Sequence, residues 1–297
     1  MPIEAKQTKN SNWDYEVVQE RLKRPNGKQS KIFSNVRTDT GEELGYSTER
    51  YGIVQNADLL TKAESAFDSR GIKYERNVYA TNDGAKLRAV YDLQGEQFRT
   101  TVPMVGDIMN YRLTVQNSFD RTLRVSFALG LMRLVCLNGM QTMEKDIDMV
   151  SKHSTKLNLD NLITDSALDN ALAFLKDSGN VYGQLAATKL DDEKGLNILT
   201  NLTKKKVMSE KVRERVAGIW SNREDLLRTN NTDPNLYNLY NSITQHLTDD
   251  VEETRFEYSN RIGTQVLRNF EAALRNPKRL TSLVKPVVDD SQIVVTE

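Results

Sequence analysis

The stretch that decides the fold is Ile72-Lys-Tyr-Glu-Arg-Asn-Val-Tyr-Ala-Thr-Asn-Asp-Gly-Ala-Lys-Leu-Arg-Ala-Val-Tyr-Asp-Leu93. Apolar and polar residues alternate on both sides of Thr81-Asn-Asp-Gly84, and this period of two is typical of half-buried β-strands. The Asp-Gly pair suits a tight turn between two strands. The stretch therefore predicts a β-hairpin.

Two further alternating runs follow the hairpin, one centred on Leu113 and the other on Val125. Residues 117–121 separate them and are typical of a second turn. Four strands that follow one another with short connections favour antiparallel pairing. We therefore expect an antiparallel β-meander in the middle of the chain.

Helical patterns lie on either side of this meander. Before it, residues 59–67 place their apolar members on one helical face, with Asn56 as the expected N-cap and Gly71 as the stop. After it, helices are predicted near residues 140–150, 168–177, 197–201, 209–222 and 235–275. The predicted fold class is α+β: a helix, an antiparallel β-meander, and a largely helical C-terminal half.

The same patterns divide the chain into four regions. Residues 1–50 are polar and predict a partly ordered N-terminal arm, with one short strand near residues 32–37. The α+β core is expected over residues 51–160 and the helical region over residues 161–285. Residues 286–297 form a short acidic tail.

Composition excludes several classes of protein. Of the 297 residues, 38% are hydrophobic and 28% are charged, as in ordinary globular proteins. Lys plus Arg and Asp plus Glu number 41 each, so any anion-binding site must be local. A single cysteine excludes an intrachain disulfide, and the longest apolar run, residues 125–137, is too short to cross a bilayer. The first residues lack the apolar core of a signal peptide, so we expect a cytoplasmic protein.

Signatures of catalysis are missing from the sequence. It has no glycine-rich phosphate loop, no Gly-x-Ser-x-Gly and no His-Glu-x-x-His. The two histidines, His153 and His246, are far apart, and Cys136 lies in an apolar run where an inert thiol is typical. A nucleophilic Cys136 assisted by His153 is the weaker alternative. We expect no enzyme, no cofactor and no metal site.

Three arginines flank or interrupt the apolar run of residues 117–138. A guanidinium in an apolar setting needs a carboxylate or a phosphate. Arg121 falls at the predicted turn and Arg124 on the polar phase of a strand, where each can face an anion in solvent. Arg133 lies deeper in the run, close to Cys136, and a structural ion pair is its expected role.

Cations and aromatic rings also share the polar phase of the meander. Such a face suits single-stranded nucleic acid, because cations follow the phosphates and rings stack on any base. The alternative is that these charges pair with Glu75, Asp92 or Glu96, and periodicity alone favours that alternative. Two further basic clusters follow, Lys152 with Lys156 and the run Lys204 to Lys206.

Several motifs together carry a family resemblance. They are Tyr51-Gly-Ile-Val-Gln-Asn, Asn117-Ser-Phe-Asp-Arg-Thr, Arg133-Leu-Val-Cys-Leu-Asn-Gly-Met, Lys152-His-Ser-Thr-Lys and Asn235-Leu-Tyr-Asn-Leu-Tyr-Asn-Ser-Ile-Thr-Gln. With these motifs the chain resembles, over roughly residues 44–275, the phage and plasmid protein family catalogued as domain of unknown function nine-three-two. Members more often show a small residue or His and a Gly around residues 119–121, and Arg at position 152.

The order of helix, meander and helix is also similar to the core of Rad-fifty-two-type single-strand annealing proteins. By analogy, this implies a homo-oligomer, a ring being one form of it, that holds single-stranded DNA in a basic groove. The leading hypothesis is a phage-type protein of the host cytoplasm that binds and anneals single-stranded DNA in recombination or replication, without hydrolysis. The alternative is a structural or host-interaction phage protein that assembles through its C-terminal helices.

The expected DNA contacts are of two kinds. Cations would hold the phosphates and rings would support the bases, which leaves base edges free to find a complement. The candidate nucleic-acid-binding residues are Arg112, Arg121, Arg124, Lys152, Lys156, Tyr79, Phe119, Lys204, Lys205 and Lys206.

Overall fold

The computed structural model describes residues 12–133, 139–140, 149–223, 226, 232–249 and 256–287. These residues form two compact units. Unit 1 contains the residues up to 99, together with 110–131 and 149–175. Unit 2 contains residues 100–109, 132–133, 139–140 and those from 176 onward. The fold class is α+β, as predicted.

A seven-stranded sheet contains the predicted meander. The strands are β4 (Lys73–Thr81), β5 (Lys86–Gln94), β6 (Arg99–Thr101), β7 (Ile108–Ser118), β8 (Val125–Arg133), β9 (Gly139–Met140) and β10 (Met149–Ser151). Their order in the sheet is β10-β8-β7-β5-β4, with β6 paired to β7 and β9 paired to β8. The pairs β4–β5, β5–β7 and β8–β10 are antiparallel.

The hairpin that opens this sheet is confirmed, with a wider turn than expected. Thr81 pairs with Lys86, so four residues form the connection. Asn82, Asp83 and Gly84 all have positive φ, at 53°, 57° and 98°. Asn, Asp and Gly adopt a positive φ at a lower free-energy cost than other residues, which explains why they occupy the turn.

Helix α1 (Asn56–Asp68) packs on the apolar face of the sheet. The ring of Phe67 lies 5.7 Å from that of Tyr91 on β5, centroid to centroid. Gly71 follows the helix with a φ of 63°, as expected of a stop. The capping role expected of Asn56 is wrong, because Gln55 occupies the N-cap position and Asn56 is buried inside the first turn.

The N-terminal segment contains more strands than the one expected near residues 32–37. Its described residues form a three-stranded antiparallel sheet of β1 (Val17–Lys23), β2 (Gln29–Arg37) and β3 (Glu43–Thr48). The buried side of this sheet is partly polar: Asn35 is fully buried and Arg37 is 8% exposed. Hydrogen bonds and an ion pair satisfy these two groups, beside a small apolar cluster that includes Val17, Leu44 and Phe119.

Six helices make up most of the remaining described chain. Apart from the N-terminal part of α2, they belong to unit 2. They are α2 (Asp165–Ala187), α3 (Asp192–Lys204), α4 (Glu210–Ser221), α5 (Leu236–Asp249), α6 (Phe256–Arg275) and α7 (Pro277–Val284). In the part of the chain that the structure describes, no helix is both long and apolar enough to cross a membrane.

Two predicted helices need correction. The single helix expected over residues 235–275 is two helices, α5 and α6. The helix expected over residues 140–150 is wrong at its ends, where β9 and β10 pair with β8. Its middle, residues 141–148, lies outside the described residues.

Candidate nucleic-acid interface

Three of the motif segments meet in unit 1 around Tyr51. Its ring stacks on the imidazole of His153, with centroids 4.8 Å apart and planes at 20°. Its hydroxyl donates a hydrogen bond of 2.6 Å to the carbonyl oxygen of Ser118. Burial raises the pKa of this hydroxyl well above its usual range, so Tyr51 stays a neutral donor. One side chain thereby connects three segments that are far apart in sequence.

The backbone next to Tyr51 also fixes the loop after β10. A Cβ atom on Gly52 would lie 2.4 Å from the carbonyl oxygen of Ser154, so only glycine allows this approach. The Thr155 amide donates to the Arg50 carbonyl oxygen at 3.4 Å. Residues 152–156 are therefore positioned by close packing against residues 50–52.

A buried pair of asparagines ties the same region to α1. The side-chain amide of Asn117 donates to the Val54 carbonyl oxygen at 2.8 Å and to Oδ1 of Asn56 at 2.9 Å. Both asparagines are fully buried. Oδ1 of Asn117 is buried and has no hydrogen-bond partner among the described residues. The two bonds of the Asn117 NH₂ group fix the position of α1 against β7, because losing either partner would leave a buried donor unpaired.

His153 is a candidate acid or base in this region. Its Nδ1 lies 3.4 Å from the Gly52 carbonyl oxygen, and its buried Nε2 has no hydrogen-bond partner among the described residues. Burial lowers the pKa of His153, which favours the neutral ring. Cys136, the suggested nucleophile, lies outside the described residues.

Exposed cations surround this packed region on its solvent side. The β8–β10 register pairs Val125 with Ser151, so its continuation by one residue sets Arg124 opposite Lys152. Arg121 sits in the turn before β8 with a φ of 68°, and its charge lowers the pKa of the Tyr51 hydroxyl against the dominant effect of burial. We call this set the basic edge; its members are Arg50, Arg121, Arg124, Lys152 and Lys156, all exposed.

The net charge of the basic edge is positive. None of its five cations forms an ion pair within the described part of the chain. Asp120 and Glu49 are the acids adjacent to it in sequence, and Oδ1 of Asp120 accepts hydrogen bonds from Thr122. The exposed charges can therefore meet an anion without first breaking an internal pair.

Arg112 does not belong to this surface, and its prediction as an exposed cation is wrong. Its Nε and Nη2 donate to the two carboxylate oxygens of Asp92, at 2.6 and 2.8 Å. The two residues are direct cross-strand partners on β5 and β7, and their side chains are 13% and 14% exposed. A bidentate pair at the centre of a sheet is the structural alternative that periodicity favoured.

The two predicted rings also lie elsewhere. Phe119 is fully buried, 6.2 Å from the ring of Tyr15, so its prediction as a surface ring is wrong. Tyr79 is half-buried on β4, at the opposite end of the strand order from β10. The guanidinium of Arg88 lies 4.4 Å from the centroid of its ring. The structure does not bring either ring to the basic edge.

Lys204, Lys205 and Lys206 form a separate basic cluster in unit 2. All three are exposed at the C-terminal end of α3. The side-chain amide of Asn201 donates to the carbonyl oxygens of Leu283 and Lys285, at 2.9 and 3.0 Å. This contact brings exposed Lys285 to the same end of the helix. Cations at a helix C-terminus interact favourably with the helix dipole, so part of this cluster stabilises α3 itself.

Sequence reasoning missed Arg50. It is exposed, and its carbonyl oxygen holds the loop that carries Lys152 and Lys156. Its position directly before Tyr51-Gly52, the start of a motif, was the available signal. Arg133, expected to form an internal ion pair, belongs to β8, and its side chain lies outside the described residues.

Among the described side chains, no group of three or more His, Cys, Asp or Glu residues is placed to hold a metal ion. The arrangement is a surface of exposed cations over a core of neutral hydrogen-bonded side chains. Cationic groups arranged in this way can bind an anion by charge and hydrogen bonding.

The family resemblance is confirmed by comparison with known proteins. A family model described as Domain of unknown function (DUF932) matches residues 43–282, well over half of the chain. No curated protein and no solved structure matches the chain.

Proposed function

We propose that this chain, which belongs to the DUF932 family, binds single-stranded DNA at the basic edge and promotes annealing without hydrolysis. In this proposal it acts in phage recombination or replication, in the host cytoplasm, as a homo-oligomer. The observation that carries the proposal is the basic edge itself: five exposed cations, free of ion pairs within the described chain, on a rigidly packed base.

The mechanism follows from what the basic edge contains. Guanidinium and ammonium groups contact phosphates and release counterions, whatever the base sequence. Neither of the two predicted rings joins these cations, since Phe119 is buried and Tyr79 lies on β4. Binding is then by backbone contacts, and the base edges stay available for pairing with a second strand.

The close packing beneath the edge supports this role. Electrostatic contacts gain affinity when the charges are held in place before the ligand arrives. Gly52 and the stacked pair of Tyr51 and His153 fix the loop of Lys152 and Lys156, while the register of β8 and β10 fixes Arg124. The motifs that define the resemblance thus act in positioning the cations.

The test is a salt titration of affinity for a mixed-sequence single-stranded oligonucleotide. Removal of one cation that neutralises a phosphate reduces the slope of log affinity against log salt by about 0.7, so Arg124→Gln/Lys152→Gln reduces it by about 1.4. The matched control, Lys73→Gln/Lys189→Gln, removes two exposed charges that lie outside the edge. We expect the control to keep the wild-type slope.

Two results would contradict the proposal. One is a wild-type protein that does not bind the oligonucleotide at low salt. The other is an equal loss of affinity in the edge variant and the control, because it would mean that overall charge alone sets binding. Melting temperatures accompany each measurement, and both variants should keep the wild-type value since the substituted side chains are exposed.

A further inference from the structure

The strands β1 and β2 continue beyond the end of β3. The last pairing of β3 joins Thr48 to Ile32, whereas β1 and β2 go on to pair Lys23 with Gln29. Residues 21–31 therefore form a two-stranded ribbon that extends past the three-stranded sheet. We call this segment the basic ribbon.

The basic ribbon has an unusual charge content. Its eleven residues, Arg-Leu-Lys-Arg-Pro-Asn-Gly-Lys-Gln-Ser-Lys, include five cations and no acid, in a chain whose net charge is zero. Neighbouring like charges repel, so this concentration costs stability unless an anion neutralises it. The five cations, all exposed, are Arg21, Lys23, Arg24, Lys28 and Lys31.

The ribbon is an ordered structure with a defined turn. Arg24 and Lys28 close the turn by a hydrogen bond of 2.7 Å, and Gly27 takes the positive φ of 76°. The guanidinium of Arg21 donates to Gln29 at 3.0 Å and lies 4.8 Å from the centroid of the Phe33 ring. The cations are thus presented on a formed ribbon.

The base of the ribbon is anchored in unit 1. The side-chain amide of Asn35 donates to the Phe119 carbonyl oxygen at 2.6 Å, and Arg37 donates to the Asp83 carbonyl oxygen at 3.1 Å. Arg37 also forms an ion pair of 2.8 Å with Asp39. Strand β2 therefore projects the ribbon from a fixed position on the same unit that carries the basic edge.

We propose that the basic ribbon is a second nucleic-acid contact, an arm that binds the phosphates of the strand held at the basic edge. This inference rests on the proposed function and adds an independent surface to it. The ribbon contains no aromatic residue between positions 21 and 31, so it contacts phosphates and does not stack on bases. The ribbon precedes residue 43, where the family match begins, so it lies outside the matched region.

The test removes charge from the end of the ribbon and keeps its fold. Lys23→Gln/Arg24→Gln/Lys28→Gln leaves Arg21, which packs on Phe33, in place. Because three cations no longer neutralise phosphates, the salt slope for single-stranded DNA falls by about 2. The matched control is Lys73→Gln/Lys189→Gln/Lys211→Gln, three exposed cations elsewhere in the chain, and it should keep the wild-type slope.

The design separates the arm from the basic edge. A reduced slope in the ribbon variant with an unchanged slope in Arg124→Gln/Lys152→Gln would overturn the basic edge and, with it, the proposal that both surfaces hold one strand. The reverse pattern would overturn the arm alone. If the wild-type protein binds neither single-stranded nor duplex DNA at low salt, both proposals fail.

A second measurement compares the binding of the same variants to vesicles of phosphatidylserine and phosphatidylcholine. A polybasic segment also binds anionic lipid, at about 1 kcal/mol per Lys or Arg near the surface. We expect the ribbon variant to lose DNA affinity. Loss of vesicle binding with unchanged DNA affinity would overturn the proposal and identify a membrane contact.

Discussion

Arginine side chains have opposite surroundings at the centre of the seven-stranded sheet and at its β8–β10 edge. At the centre, Arg112 on β7 is bound by both carboxylate oxygens of Asp92 on β5. At the edge, Arg124 lies just before β8, one residue beyond the last pair of the β8–β10 register, and is exposed. In the sequence, both arginines occupy polar positions of an alternating apolar and polar pattern.

The difference comes from what lies across the strand. A central strand has a neighbour on each side, so a polar side chain there meets a defined cross-strand partner, and for Arg112 that partner is an acid. Arg124 lies beyond the end of the β8–β10 pairing, where it is exposed and forms no ion pair within the described part of the chain.

The largest effect is expected at the sheet centre. Asp92→Ala leaves the guanidinium of Arg112 nearly buried without its carboxylate, and we expect a loss of about 3 kcal/mol in the free energy of unfolding. Urea denaturation measures it. The double variant Asp92→Leu/Arg112→Met removes both charges and should return to within about 1 kcal/mol of wild type. If Asp92→Ala is as stable as wild type, the pair has no structural role.

A smaller effect is expected beneath the edge. Gly52→Ala places a methyl group against the Ser154 carbonyl oxygen, and we expect a cost of about 2 kcal/mol, since backbone must move to relieve the contact. The displaced loop carries Lys152 and Lys156, so affinity for single-stranded DNA should also fall. The control is Gly218→Ala on α4, where no atom lies within 4 Å; it should gain about 0.5 kcal/mol. A Gly52→Ala protein with wild-type stability would show that the close packing is not needed.

The smallest effect is a pH dependence at His153. Burial lowers its pKa in the folded protein, so the unfolded chain binds the proton more readily. The contribution of His153 to the free energy of unfolding is therefore fully present above the pKa of the unfolded chain, about 6.5. It decreases as the pH falls from that value toward the lower pKa of the folded protein. Melting temperatures measured from about pH 8 to pH 5 test this.

Replacement assigns the pH dependence to one ring. We expect His153→Gln to flatten the profile in this window, because glutamine does not titrate. The matched variant is His246→Gln on α5. If His246→Gln flattens the profile and His153→Gln leaves it unchanged, the assignment is wrong.

Local patterns predicted much of this fold. The hairpin around Thr81–Gly84, the stop of α1 at Gly71 and the α+β class follow from periodicity and turn chemistry, which depend on neighbours in sequence. The exposure of Arg121 and Arg124 also follows from turn and strand phase. These features need no knowledge of distant contacts.

The features that sequence reasoning missed depend on distant partners. The sheet of β1 to β3 is stabilised by buried polar groups such as Asn35, whose acceptor is the Phe119 carbonyl oxygen 84 positions away. Phe119 looks like a surface ring between polar neighbours, yet it packs on Tyr15. No local pattern identifies such partners, because they are chosen by the tertiary structure.

The hydrogen-bond contact between His153 and Gly52 spans 101 positions of the chain. During synthesis, the basic edge cannot assemble until the segment that carries His153 has left the ribosome, whereas residues 21–31 emerge near the start. A nascent chain therefore displays the cations of the basic ribbon well before the loop of Lys152 exists. The Tyr51 ring can stack on His153 only after both segments have been synthesised, and a fragment that stops before residue 152 lacks both lysines of the basic edge.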